Sequence, residues 1–121
     1  MKHLSICIPT FNRHEPLKLL NERFLSRALE LFPDDVEVLI CDDSELAIAQ
    51  ANRLALRKNI RYQHNPIRTG FASSLEWCFE QAEGKFVWLL SDDDPILWDG
   101  FCRLLALIKL GQADCYIVPI M

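Results

Sequence analysis

The feature that most constrains this sequence is a repeated change of hydrophobic period. Short apolar runs, too brief for helices, are each followed by a stretch in which apolar residues recur every three or four positions. Leu4-Ser5-Ile6-Cys7-Ile8 predicts a buried strand over 4–8, stopped by Pro9. Residues 15–31 read as a helix: Pro16 stands in the first turn, where a missing N–H costs nothing, and Leu17, Leu20, Phe24, Ala28 and Leu31 share a face. Pro33-Asp34-Asp35 breaks it. A strand over 36–41, a shorter helix over 46–56 capped by Ser44, and a strand over 60–63 follow. Next come a helix over 71–82 and a strand over 86–90. That helix is expected to bury Phe71, Leu75, Cys78, Phe79 and Ala82, with Gly84 stopping it. A helix over 97–110 turns Phe101, Leu104, Leu105 and Ile108 inward and ends at Gly111, and a fifth strand is predicted over 114–120.

Strands that are apolar on both faces belong in a parallel sheet covered by helices on both sides. The expected fold class is therefore α/β: an open, mainly parallel twisted sheet flanked by helices, formed by a single domain over 1–121. The last predicted strand has no helix after it, so the chain reads as the N-terminal part of a longer protein.

Half of the residues are hydrophobic, which supports a core at this length. A formal net charge of -4 argues against a nucleic-acid partner. Cys7, Cys41, Cys78, Cys102 and Cys115 are odd in number, form no C-x-x-C pair and sit inside apolar runs. They read as buried free thiols in a reducing compartment. No signal peptide is visible, and no apolar run approaches the roughly 20 residues of a membrane span. The expected location is cytoplasmic or at the inner face of a membrane, with any membrane association coming through segments outside this sequence. His3, His14 and His64 have no metal-ligand spacing and are expected at the surface; Trp77 and Trp88 are expected to pack in the core, as is Trp98, whose alternative place beside the acidic turn is lining a sugar site.

In an open parallel sheet, ligands bind beyond the carboxyl ends of the strands. Three polar groups follow predicted strands here: Thr10-Phe11-Asn12-Arg13, Asp42-Asp43-Ser44 and Ser91-Asp92-Asp93-Asp94. All three are expected at one edge. Consecutive aspartates in a shared site repel one another, and a divalent cation removes that repulsion. Magnesium and manganese take oxygen ligands, often one or two carboxylates plus substrate phosphates. Asp93 or Asp94 is thus the candidate metal ligand, holding a diphosphate through the ion; alternatively, Asp94 caps the helix entered through Pro95. Asp42 and Asp43 can accept hydrogen bonds from a base or ribose. Thr10, Asn12 and Arg13 can meet base or phosphate, and Arg68, in a loop over 65–70, is a candidate for base or diphosphate.

These segments together resemble the donor-binding half of family 2 glycosyltransferases, which have the GT-A fold, a Rossmann-like nucleotide-diphospho-sugar transferase architecture. The opening through Ile8-Pro9-Thr10-Phe11-Asn12-Arg13 is similar to the family's first strand and its Pro-Thr-Tyr-Asn-Arg turn. Val38-Leu39-Ile40-Cys41-Asp42-Asp43-Ser44 is similar to the strand ending in Asp-Asp-x-Ser. Asn65, Gly70 and Ala72, and then Ala82-Glu83-Gly84-Lys85-Phe86, resemble the stretch before the metal motif, and Phe86 to Asp94 resembles the strand carrying Asp-x-Asp.

The resemblance implies a nucleotide-diphospho-sugar donor, a UDP-sugar by default, and manganese or magnesium as cofactor. Thr10 and Asp43, with Asp42 beside them, would bind nucleobase and ribose. Arg68 would assist at base or phosphate, Asp92 would approach the ribose, and Asp93 or Asp94 would hold the metal. The commoner form has Asp where Ser91 stands, which leaves the register of the motif open by one residue. It also implies inverting transfer to a glycan or lipid-linked acceptor, with a carboxylate base on the acceptor hydroxyl. No residue of this sequence is assigned as that base, so the chain alone is expected to transfer poorly. The alternatives are a non-catalytic nucleotide-binding module and, further off, a receiver-type signalling domain. In a receiver, the acidic pair follows the first strand and a lysine follows the fifth, whereas here the corresponding positions read Pro9-Thr10 and Val118-Pro119-Ile120.

Overall fold

The structure, a computed structural model, describes residues 2–116. Strand β1 spans Leu4–Thr10, β2 Val36–Asp42, β3 Arg61–His64 and β4 Phe86–Leu89. All pairings are parallel, in the order β3-β2-β1-β4. The apolar runs predicted these strands to within two residues at either end. The fifth strand predicted over 114–120 falls largely on 117–121, outside the described residues.

Alternation along the strands divides the core. Leu4, Ile6 and Ile8 of β1 and Val36, Val38 and Ile40 of β2 face one side, where Leu17, Leu20, Phe24, Leu25, Ala28 and Leu29 cover them. These covering residues come from a helical run made of α1 (His14–Leu20), a π-helical turn (Asn21–Leu25) and α2 (Ser26–Leu31). Helix α5 (Trp98–Leu110) adds Phe101, Leu105 and Ile108 to the same side. Burying each of these large side chains contributes about 1.5–3 kcal/mol. Cys7, Leu39 and Cys41 face the other side beneath α4 (Phe71–Gln81). Helix α3 (Leu46–Ala55) follows β2 and packs against α1.

Several expectations change in three dimensions. Helix α4 buries Ser74 and Cys78, while Phe71 and Phe79 are 62% and 52% exposed. Small side chains let this helix come close to the sheet, so its larger apolar residues stay outside. Strand β4 is not buried on both faces, because α4 covers β1 and β2 and leaves Val87 and Leu89 exposed. Gly84 acts through close approach: a Cβ there would stand 2.6 Å from the Ser5 backbone nitrogen. Cys7, Cys41 and Cys78 are buried free thiols, but Cys102 is only half-buried and Cys115 is exposed. Trp88 and Trp98 pack with Phe24 and Phe101, and Trp77 lies against the smaller cluster under α4. No helix among the described residues is long and apolar enough to cross a membrane.

The strand order carries a functional consequence. A receiver-type sheet runs 2-1-3-4-5, with β1 between β2 and β3. Here β1 lies between β2 and β4. The order reverses at the β1–β4 boundary, where a doubly wound sheet opens its ligand crevice.

Candidate functional site

The strand ends meet at that boundary. Thr10 donates its hydroxyl to Asp92 at 2.8 Å, joining the end of β1 to the turn after β4. The backbone N–H of Asp43 donates to the carbonyl of Thr10 at 3.0 Å, joining the end of β2 to the same residue. Arg13 reaches Asp92 through Nε at 3.1 Å and Asp93 through Nη2 at 2.7 Å. Thr10, Arg13, Asp43, Asp92 and Asp93, taken from three separate crossings, thus stand on one rim.

The two aspartates at the end of β2 have different roles in the fold. Asp42 has no exposed surface. Its carboxylate accepts from the Ser44 N–H, the Asn52 amide and the Tyr62 hydroxyl. These buried bonds make it the floor of the rim. Asp43 is 6% exposed and accepts from Asn65 at 2.7 Å, Thr69 at 3.3 Å and the Gly70 N–H at 2.8 Å. The Thr69 N–H also acts on this carboxylate, so donors from the 65–70 loop surround it. Burial works to raise the Asp43 pKa, but the bonds from Asn65, Gly70 and Thr69 outweigh it and hold the group below the ordinary carboxylate value. Gly70 makes its bond from a backbone φ of 95°, which other residues adopt only with strain.

Asn12 is also engaged. It occupies the left-handed region at φ 51°. Its N–H donates to the Ser44 hydroxyl at 2.7 Å, and its side-chain oxygen accepts from the Glu45 N–H at 3.0 Å. These two bonds brace the turn after β1 against the start of α3. Ser44 therefore does not cap α3 with its side chain, as the sequence had predicted.

The histidines expected at the surface support the same layer. His14 pairs with the Asn52 side chain at 2.8 Å, and His64 lies 2.9 Å from the Ser44 carbonyl. His3, at the opposite end of the sheet, pairs with Asp35 at 3.0 Å. Tyr62, Asn52 and Phe11 were missed by the sequence reading. A tyrosine on a strand between polar neighbours signals a hydroxyl in need of a partner, and that partner is Asp42. Phe11 is 38% exposed, and the Arg68 guanidinium lies 3.9 Å from its ring centroid, a cation–π contact.

The acidic turn is arranged around Arg13. Burial lifts Asp92 above the ordinary carboxylate value, against the pull of Thr10 and Arg13. The Ser91 hydroxyl, 2.7 Å from Asp93, acts with Arg13 to hold Asp93 below it. Asp94 is exposed, and α5 begins only at Trp98, so Asp94 does not cap that helix. In donor chemistry the turn suits magnesium or manganese: Asp92, Asp93 and Asp94 present only hard oxygens, and Asp93 is half exposed. Among the described residues, no three acidic, histidine or cysteine side chains already surround one point.

An open α/β sheet with a polar rim at its switch point has the architecture in which α/β domains bind ligands. The comparisons make the class specific. The family described as Glycosyl transferase family 2 matches residues 5–121, and the chain belongs to that family. It is 28% identical over 118 residues to Abequosyltransferase RfbV of Salmonella typhimurium strain LT2, covering 94% of this chain and 34% of the relative. It is also 28% identical over 120 residues to the GalNAc(5)-diNAcBac-PP-undecaprenol beta-1,3-glucosyltransferase of Campylobacter jejuni, covering 96% of this chain and 38% of the relative. The crystal structure of S. aureus TarS matches with a TM-score of 0.61 and 25% identity, over 91% of this chain and 20% of that chain. The fold is thus the GT-A architecture expected from the motifs. The chain spans about a third of the length of the curated relatives it matches.

Proposed function

We propose that this chain is the nucleotide-sugar-binding part of a glycosyltransferase. The complete enzyme would transfer the sugar with inversion to a glycan or lipid-linked acceptor. One observation carries the reading: Thr10 ties Asp92 by its hydroxyl and Asp43 by its carbonyl, so one residue fixes the acidic turn and the carboxylate after β2 on the same rim.

Asp43 accepts from an imide N–H of the base or a ribose hydroxyl, which takes the place of a bond from the exposed 65–70 loop. Phe11 offers an aromatic face to the base, and Arg68 sits above it. Asp42 and Asn12 act as positioning residues for Asp43 and the β1 turn, not as nucleotide contacts. Asp92 approaches the ribose. Asp93 or Asp94 holds the divalent ion, which supplies Lewis-acid stabilisation of the diphosphate leaving group. Arg13 lies close enough to contribute a second positive charge to that diphosphate.

UDP is the default nucleotide. The name of the Campylobacter relative includes a PP-undecaprenol-linked glycan, and a lipid-linked acceptor at the cytoplasmic face of a membrane is proposed here by likeness. The base on the acceptor hydroxyl is not assigned to any residue of this chain, so donor binding is expected with little transfer. Calorimetry with UDP, with and without manganese, tests the reading. Binding that requires both supports it; UDP that fails to bind with manganese present removes it.

A further inference from the structure

The acidic turn already holds a cation, and that cation belongs to the chain. Arg13 spans both carboxylates, with Nε on Asp92 and Nη2 on Asp93. The second oxygen of each acid is also taken, on Asp92 by the Thr10 hydroxyl and on Asp93 by the Ser91 hydroxyl. Asp92 and Asp93 therefore present four carboxylate oxygens, each engaged by this chain. A guanidinium and a divalent ion cannot share these oxygens closely, because their charges repel. The mobility of the partners differs in a useful way. The Asp92 side chain is 7% exposed and fixed by Thr10, whereas Arg13 is 46% exposed and Asp93 48%. The guanidinium is the group free to leave.

We propose that Arg13, anchored on Asp92, is an internal counter-cation that competes with the divalent ion for Asp93 and is drawn off by the diphosphate, so that metal and nucleotide load together. The inference rests on the donor-site reading above. Without nucleotide, Arg13 neutralises the turn and disfavours metal. With a diphosphate present, Arg13 gains a bidentate anionic partner, which its planar fork suits, and the acids are released. Arg13 thereby contributes to the coupling between the two ligands, and coupling is reciprocal: nucleotide strengthens metal binding by the same factor that metal strengthens nucleotide binding.

The test measures manganese binding by electron paramagnetic resonance, with no turnover required, on the full chain and three variants, with and without UDP. Arg13→Gln is expected to bind manganese alone about tenfold more tightly than the parent, and the enhancement by UDP falls by about the same factor. Arg103→Gln removes an exposed positive charge on α5 without touching the acids and is expected to leave manganese binding alone unchanged. Arg13→Lys keeps the charge without the fork and is expected to shift the same way by a smaller factor. It also serves as the test if Arg13→Gln melts prematurely. If Arg13→Gln binds manganese alone no more tightly than the parent, while the parent still binds manganese with UDP, the counter-cation is overturned and the donor site stands. An equal gain in Arg103→Gln also overturns it, because the effect is then only general charge. If the parent fails to bind manganese even with UDP, the donor-site reading falls and takes this proposal with it.

Discussion

The two ends of the sheet each bury carboxylates, and they treat them differently. At the end where the strands begin, Glu37 is 7% exposed. It accepts from Ser5 at 2.6 Å, the Glu83 N–H at 2.5 Å and Arg61 at 3.2 Å. Arg61 is held in turn by the carbonyl and side chain of Gln81, and Ser5 accepts from the Gly84 N–H. Every partner belongs to a strand, a helix end or a tight backbone approach. At the rim, Asp43 is held by the 65–70 loop, whose residues 66–69 are exposed, and Asp92 and Asp93 share a half-exposed arginine that precedes α1. Burial alone does not mark a functional acid. A set of rigid partners marks architecture, and a movable set marks a place for a ligand.

Substitutions at the two ends should therefore separate stability from binding. The largest expected effect is at the closed end. Glu37→Ala leaves Arg61, Ser5 and the Glu83 N–H without their shared acceptor and is expected to cost about 2–4 kcal/mol in denaturant unfolding. UDP affinity of the folded fraction should stay at the parent value; a loss of affinity as large as the loss of stability would break the contrast.

Asp43→Asn should show the reverse pattern. Losing a charged acceptor for the nucleotide is expected to weaken UDP binding about 10- to 100-fold, while unfolding shifts by less than about 1.5 kcal/mol. Calorimetry and melting on one preparation check both halves, and an unchanged UDP affinity would count against Asp43 as a ligand.

The smallest expected effect is a slope with pH. Burial pushes the Glu37 pKa upward, but Ser5, the Glu83 N–H and Arg61 together bring it below the ordinary glutamate value. The unfolded chain therefore takes up this proton first as pH falls. Stability from this group is complete above the unfolded pKa of about 4.3 and is lost as pH drops through the lower folded value. Asp43, also lowered, adds in the same sense. Melting from about pH 7 to about pH 3 should fall more gently in Glu37→Gln than in the parent. Parallel curves would show that the Glu37 bonds do not discriminate the ionised form.

The sequence by itself determined the alternation of strands and helices and the placing of polar turns after β1, β2 and β4. Both are written in neighbours a few positions apart: period 2 or 3.6 for the elements, and Pro9, Asp42 and Ser91 where apolar runs end. It did not determine which face of α4 is buried, because Phe71 and Phe79 form as good a stripe as Ser74 and Cys78 until the sheet's shape selects the small residues. Nor could it tell Asp42 from Asp43, which are adjacent and alike. Tyr62 and Asn52 close around the first, and the exposed 65–70 loop holds the second. The ties from Thr10 to Asp92 and from Arg13 to Asp93 join residues 82 and 80 positions apart. No local pattern encodes such a pairing; it exists only once parallel strands bring their carboxyl ends to a common rim.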